Sequence, residues 1–239
     1  MLRDAAPGIA RHIAQSVGSI SKMQDPIDAI LAGIDFGKFV ARIDPIAEIL
    51  ASSATASTQT ALESVMSTSS AVSAISTRYA VDQARARAAE LVGMRLMPDG
   101  SIIPNPNPVW AITDATREML RPVIETAIST GQSAAELTDA VMSSAAFSPA
   151  RAEMVARTEI IATNNSAAMT AYKASGVVSG KRWNTAGGPT PRGYPVSDEC
   201  QACEDQGVIP LDAAFVSGRM QPPNHPHCRC VVIPVLGGA

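Results

Sequence analysis

All four cysteines and two of the three histidines of this 239-residue chain lie between positions 200 and 230, and nothing else constrains its fold as strongly. The first cluster reads Asp198-Glu199-Cys200-Gln201-Ala202-Cys203, and the second reads Pro222-Pro223-Asn224-His225-Pro226-His227-Cys228-Arg229-Cys230. A C-x-x-C spacing can set two thiolates on one side of a tight turn. A second pair of thiol or imidazole groups, brought in by the fold, completes a tetrahedral zinc site. Disulfides and reduced, buried cysteines are the alternative readings. The second of these gives no reason for the cysteines to gather with histidine. The candidates Cys200, Cys203, His225, His227, Cys228 and Cys230 compete for four places. Cys200, Cys203, His225 and one of Cys228 or Cys230 form the preferred set, because Cys228 and Cys230 point to one face if they sit on a strand.

Apolar residues make up 46% of the chain but aromatics only 4%, so the core must be built from Ala, Ile, Val, Leu and Met. That composition favours close-packed helices over a large sheet sandwich. A formal charge of −3, with signs mixed along the length and no basic run, argues against autonomous nucleic-acid binding through phosphate neutralisation. No apolar stretch reaches the roughly 18 residues of a membrane helix, and no signal core follows Met1-Leu2-Arg3-Asp4. The expectation is a soluble chain made in the reducing cytosol, with a metal in place of a disulfide framework.

In chain order, Asp25-Pro26 and Asp44-Pro45 each offer an N-cap followed by proline at the first helical position, and short helices are expected around breaks at Gly33 and Gly37. The Ala/Ser/Thr-rich stretch from Ala51 has the composition of a tether. Its apolar residues at Leu62, Val65, Met66, Val72, Ile75 and Tyr79, continued to Leu91 and Val92, instead predict one long, thin amphipathic helix that needs neighbours from this chain or from copies of it. Pro98-Asp99-Gly100 and the X-Pro pairs through Pro108 predict an extended connection. The domain reading is a helical region at 1–97 for docking or oligomerisation, a Pro-rich linker at 98–108 and a C-terminal domain at 109–239.

Three helical patterns follow the linker. One starts near Asn107 or Thr113, meets Pro122 and closes at Gly131; one opens on the capping box Ser133-Ala134-Ala135-Glu136; one opens on Ser148-Pro149 and runs to Gly176. On the last, Arg157, Glu159, Asn164 and Asn165 form either a solvated face or an internal network. Lys181–Thr185 and Arg229–Val235 read as antiparallel strands flanking a Gly/Pro-rich loop from Gly187 to Pro195 and the two clusters. The fold class is therefore α+β and predominantly α-helical, with a small antiparallel sheet beside a Cys/His cluster. So small a sheet is marginal in water, and a metal clip would supply the missing stability.

The order Ala156-Arg157-Thr158-Glu159, Lys181-x-Trp183, Cys200-x-x-Cys203 and Pro222-Pro223-x-His225-Pro226-x-Cys228-Arg229-Cys230 resembles the C-terminal domain of phage Mu F-like minor head proteins, the phage head morphogenesis family, over residues of about 110 to 235. The resemblance implies a low-copy minor capsid protein of a tailed bacteriophage, inside the virion at the portal vertex and acting in head assembly and DNA packaging or ejection. Its implied partners are the portal protein, copies of itself, and major capsid or scaffold protein, with weak contact to packaged DNA and none to membrane. By position, Cys200, Cys203, His225, Cys228 and Cys230 match the family's Cys/His pattern, whereas His227 falls on a variable place.

A structural zinc among those five residues and no enzymatic activity is the leading expectation. The alternatives are a zinc-dependent hydrolase, nuclease-like or deaminase, and a DNA-contacting ejection factor using Arg182, Arg192, Arg219 and Arg229. The H-x-E of zinc deaminases, a G-x-S-x-G and a phosphate-binding loop are all missing from the sequence, and acidic neighbours balance the arginines.

Overall fold

The computed structural model describes residues 2–17, 26–66, 69–109, 111–130, 132–185 and 195–237. In chain order the elements begin with helices α1 (Leu2–Val17), α2 (Pro26–Ala32), α3 (Gly37–Val40), α4 (Ile43–Ser64) and α5 (Ser70–Leu91), then strands β1 (Met94–Leu96) and β2 (Ile102–Pro104). Helices α6 (Ile112–Thr130), α7 (Ala134–Ser143) and α8 (Pro149–Ser175) follow, then strand β3 (Val178–Asn184), helix α9 (Asp198–Asp205) and strands β4 (Val208–Pro210) and β5 (Val231–Leu236). The fold is α+β and predominantly helical, with two small antiparallel sheets and a Cys/His cluster near the C-terminal end. The chain divides into two compact units that do not follow chain order: Met1–Ala47 with Ala86–Glu153, and Glu48–Arg85 with Met154–Ala239.

In the first unit, α1 buries Leu2, Ala5, Ala6, Ile9, Ala10 and Ile13, a stripe at helical spacing that packs on α7. The sequence reading places 1–97 in a helical region but names no individual helix before Asp25. The buried stripe on both sides of Pro7 keeps α1 continuous, as burial of Leu120 and Ile124 keeps α6 continuous around Pro122. α7 opens with the expected capping box: Ser133 Oγ accepts from Glu136 N at 3.3 Å, and Ser133 N donates to Glu136 Oε2 at 2.8 Å. Arg151, almost fully buried, donates to Thr116 Oγ1, Ala146 O and Ile112 O, joining the start of α8 to α6 through neutral acceptors.

β1 and β2 form a hairpin with Met94 opposite Pro104, closed by Pro98-Asp99-Gly100. Asp99 Oδ1 accepts from Ser101 N and Oγ, and Gly100 takes a φ of 84° that suits glycine. The 98–108 segment read as a linker therefore includes a paired strand.

Two expectations need correction. The single long helix is two, α4 and α5: Met66 takes a left-handed φ of 53°, and Ser69 restarts the helix by accepting from Val72 N at 3.4 Å. Serines at this point compete with the helical ladder, which the periodicity of the apolar residues conceals. Asp44-Pro45 is not a cap followed by a first residue, because α4 begins at Ile43 and holds both in its first turn. There a proline costs no helical hydrogen bond. The expected cap at Asp25, the stop at Gly131 and loop residues 187–194, Arg192 among them, lie outside the described residues.

In the second unit, α4, α5 and α8 meet through Ala54, Ala80 and Ala167, small side chains that permit close approach. Ala61, Leu62 and Val65 of α4 pack with Ala168, Met169, Ala171 and Tyr172 of α8 and Val232 of β5. The sheet order is β4-β3-β5, all antiparallel, with Lys181 opposite Ile209 on one side and Pro234 on the other. The sequence pairs β3 with β5 correctly but gives no strand at Val208–Pro210. Gly180 lets β4 approach, since a Cβ there would lie 3.0 Å from Ile209 O. Asn165 turns out to belong to an internal network, tying α8 to the start of β5: its Nδ2 donates to Cys230 O at 3.2 Å and its Oδ1 accepts from Val232 N at 2.8 Å.

Candidate metal centre

The C-x-x-C pair stands on α9 and not on a turn. Ser197 caps that helix, accepting from Cys200 N at 3.3 Å, so Cys200 lies in its first turn and Cys203 one turn on. The second cluster arrives on the loop after Phe215, through the cis Pro222-Pro223 bond, and Cys228 N donates to His225 O at 3.2 Å. Cys228 and Cys230 precede β5 and do not lie on a strand. The helix with the Arg157-Thr158-Glu159 motif holds this loop: His227 N donates to Thr158 Oγ1 at 3.1 Å.

Together these elements bring Cys200, His225 and Cys228 into one group whose donor atoms all lie within 4.8 Å of one another. Cys200 Sγ is 3.3 Å from His225 Nε2 and 3.8 Å from Cys228 Sγ. All four cysteines are free and buried, packed with Trp183, Ile209 and Phe215; the Trp183 and Phe215 rings meet edge to face at 5.1 Å. Cys203 lies in this cluster with its thiol donating to Ser217 Oγ at 3.2 Å, and Cys230 packs in it with Trp183, whose indole N–H has no hydrogen-bond partner among the described residues. His227 is exposed and outside the group of three.

The donor set fits a metal ion. Zinc–sulfur bonds of about 2.3 Å in a tetrahedron put sulfurs about 3.8 Å apart, the separation seen between Cys200 and Cys228. His225 Nδ1 donates to Pro226 O at 2.8 Å, which leaves the lone pair on Nε2, aimed at the sulfurs. Hydrogen bonds from Cys200 and then Cys230 hold the Cys228 thiol far below its ordinary range. The same contacts raise Cys200, through Cys228 first, and Cys230, through Cys200 first. Several thiolates crowded together repel one another, and a cation in their midst removes that conflict.

The acidic residues beside the pair have other roles. Glu204 Oε1 accepts from Thr185 N at 2.9 Å and its Oε2 from Thr185 Oγ1 at 2.7 Å, which fastens α9 to the end of β3 and holds the carboxyl below its usual range. Sequence reasoning missed Thr185, Ser217 and Asn224, whose contacts with the clusters come from loops it had no means of placing. No helix among the described residues is long and apolar enough to cross a membrane.

Residues 118–233 match the family described as phage Mu protein F like protein. No curated protein and no solved structure matches the chain.

Proposed function

We propose that this chain, whose residues 118–233 belong to the phage Mu F-like family of head morphogenesis proteins, is a minor capsid protein of a tailed phage, carried inside the virion at the portal vertex. It acts in head assembly and in DNA packaging or ejection, through contacts with the portal protein, with copies of itself, or with major capsid or scaffold protein. The family match is the observation that carries this reading. Buried Cys200 and Cys228 and half-buried His225, gathered beside a small three-stranded sheet, support a structural zinc that clips α9 and the 222–230 loop to that sheet. When bound, zinc would supply folding energy and not a reactive centre: the group of three includes no carboxylate, and Glu204, which follows the C-x-x-C pair, is engaged by Thr185 through both carboxylate oxygens.

The test is copurification. Purified particles should contain the chain, and isolated portal oligomers should retain it on size-exclusion chromatography. A stable monomer that ignores portal oligomers and is missing from particles sinks the proposal. Contact with packaged DNA through Arg182, Arg219 and Arg229 is a subsidiary expectation, and no binding to duplex DNA at low ionic strength would remove it.

A further inference from the structure

Within the second unit, α5 and α8 meet through Ala80 and Ala167, and beyond that contact, towards Ile75 and Ala174, a cavity of about 530 Å³ opens. Both helices line it, together with Met220 and Gln221. Buried Met169 and the exposed side chains of Ile75 and Tyr79 form its apolar part.

Ser76 lines the same cavity, is fully buried, and its Oγ has no hydrogen-bond partner among the described residues. A serine or threonine hydroxyl inside a helix ordinarily returns to the carbonyl one turn back, as Thr60, Thr138 and Thr170 do here. Ser76 makes no such bond, so a hydroxyl bordering the cavity lacks the partner that its burial requires.

Lys173 adds a positive charge to the lining. Its ion pair with Asp212, 2.7 Å long, is open to water, where such pairs are weak and readily exchanged. Lys181 donates to Met220 O at 2.8 Å and is repelled by Lys173, against a smaller pull from Asp212. Two ammonium groups thus lean on the Asp212 carboxylate beside the cavity, and an incoming carboxylate relieves their repulsion.

We infer that this cleft binds a peptide segment of another protein, with an apolar side chain against Met169 and Tyr79, an adjoining acidic group on Lys173 and a polar group on Ser76 Oγ. Sites for small molecules enclose most of their ligand. Here Ile75 and Tyr79, 68% and 51% exposed, leave apolar contact area outside the cavity for the rest of a chain.

Panning a random peptide library on the full chain tests this. Enriched peptides are expected to carry aspartate or glutamate next to an aromatic or large aliphatic residue. Fluorescence polarisation of the best of them, labelled, should show binding to the parent. Ala174→Trp, which fills the cleft from an exposed helical position, should weaken that binding at least about tenfold. Lys173→Gln should weaken it by about two- to fivefold, a difference lost at high salt. Ser76→Ala should weaken it by about fivefold while the melting temperature of the free chain holds or rises, because the hydroxyl has no partner to lose. A lower melting temperature for Ser76→Ala would show that the fold already satisfies the hydroxyl and would overturn the proposal. So would a failure to enrich any peptide, enrichment of peptides without acidic residues, or equal binding by parent and Ala174→Trp. Should Ala174→Trp not fold, the exposed Lys173→Gln decides, and binding equal to the parent's at low salt overturns the proposal.

Discussion

Lys181 has no exposed surface, yet its ammonium is held by a single carbonyl, Met220 O at 2.8 Å, with the Phe215 ring 5.3 Å away. Burial, and then repulsion from Lys173, pushes it down to about 8, against a smaller opposing pull from Asp212. Because the amine binds its proton less tightly folded than unfolded, it costs stability fully below about pH 8, and that cost fades as pH rises towards the ordinary lysine value. Lys181→Met removes the titration. Chemical denaturation of parent and variant between pH 7 and 10 should therefore show the parent gaining on the variant by an amount on the order of 2 kcal/mol. A difference independent of pH would mean that the ammonium is not desolvated. Asn165 offers a second test at this scale. Asn165→Leu leaves Val232 N and Cys230 O unpaired in a buried place and should lower stability by about 2 kcal/mol in urea unfolding. In the sequence Lys181 belongs to a plausible strand and Asn165 to an ambiguous polar set, since burial of either depends on residues 34 to 67 positions away that only folding brings near.

At the scale of elements, signals confined to one turn were legible and signals spread over a whole helix were not always so. The Ser133–Glu136 box and the Ser148-Pro149 start appear where the sequence puts them, because an N-cap is a local hydrogen-bonding decision. Ser133→Ala should lower the thermal stability of the unit containing α7 by about 1 kcal/mol, read in a melting curve. The break between α4 and α5 was hidden by apolar spacing that continued across it. Met66, 81% exposed and left-handed, contributes nothing to the core that would offset its backbone strain. Met66→Gly should therefore raise stability by about 0.5–1 kcal/mol, and a loss of stability would show that the side chain has a role here. Strand β4 is three residues long, too short for alternation to register, and it exists because Gly180 allows its backbone close to β3.

For the whole molecule, the consequence of a metal clip is confined to the second unit. Chelation under reducing conditions should strip hydrogen-exchange protection from the amides of α9, β3 and β5, whereas α1, α6 and α7 keep theirs. Equal protection throughout would count against a metal that holds the sheet. Composition, capping motifs and the paired clusters at 198–203 and 222–230 determined by themselves the helical α+β class, the antiparallel pairing of β3 with β5 and the family resemblance. These properties rest on short-range hydrogen bonding, on periodicity and on residue identity. Only the tertiary structure decided that the two units interleave along the chain, that Cys200, His225 and Cys228 converge while the thiol of Cys203 turns to Ser217, and that Asn165 anchors β5. Each of these depends on which side chains meet across long stretches of sequence, and packing and burial set those meetings where spacing carries no information.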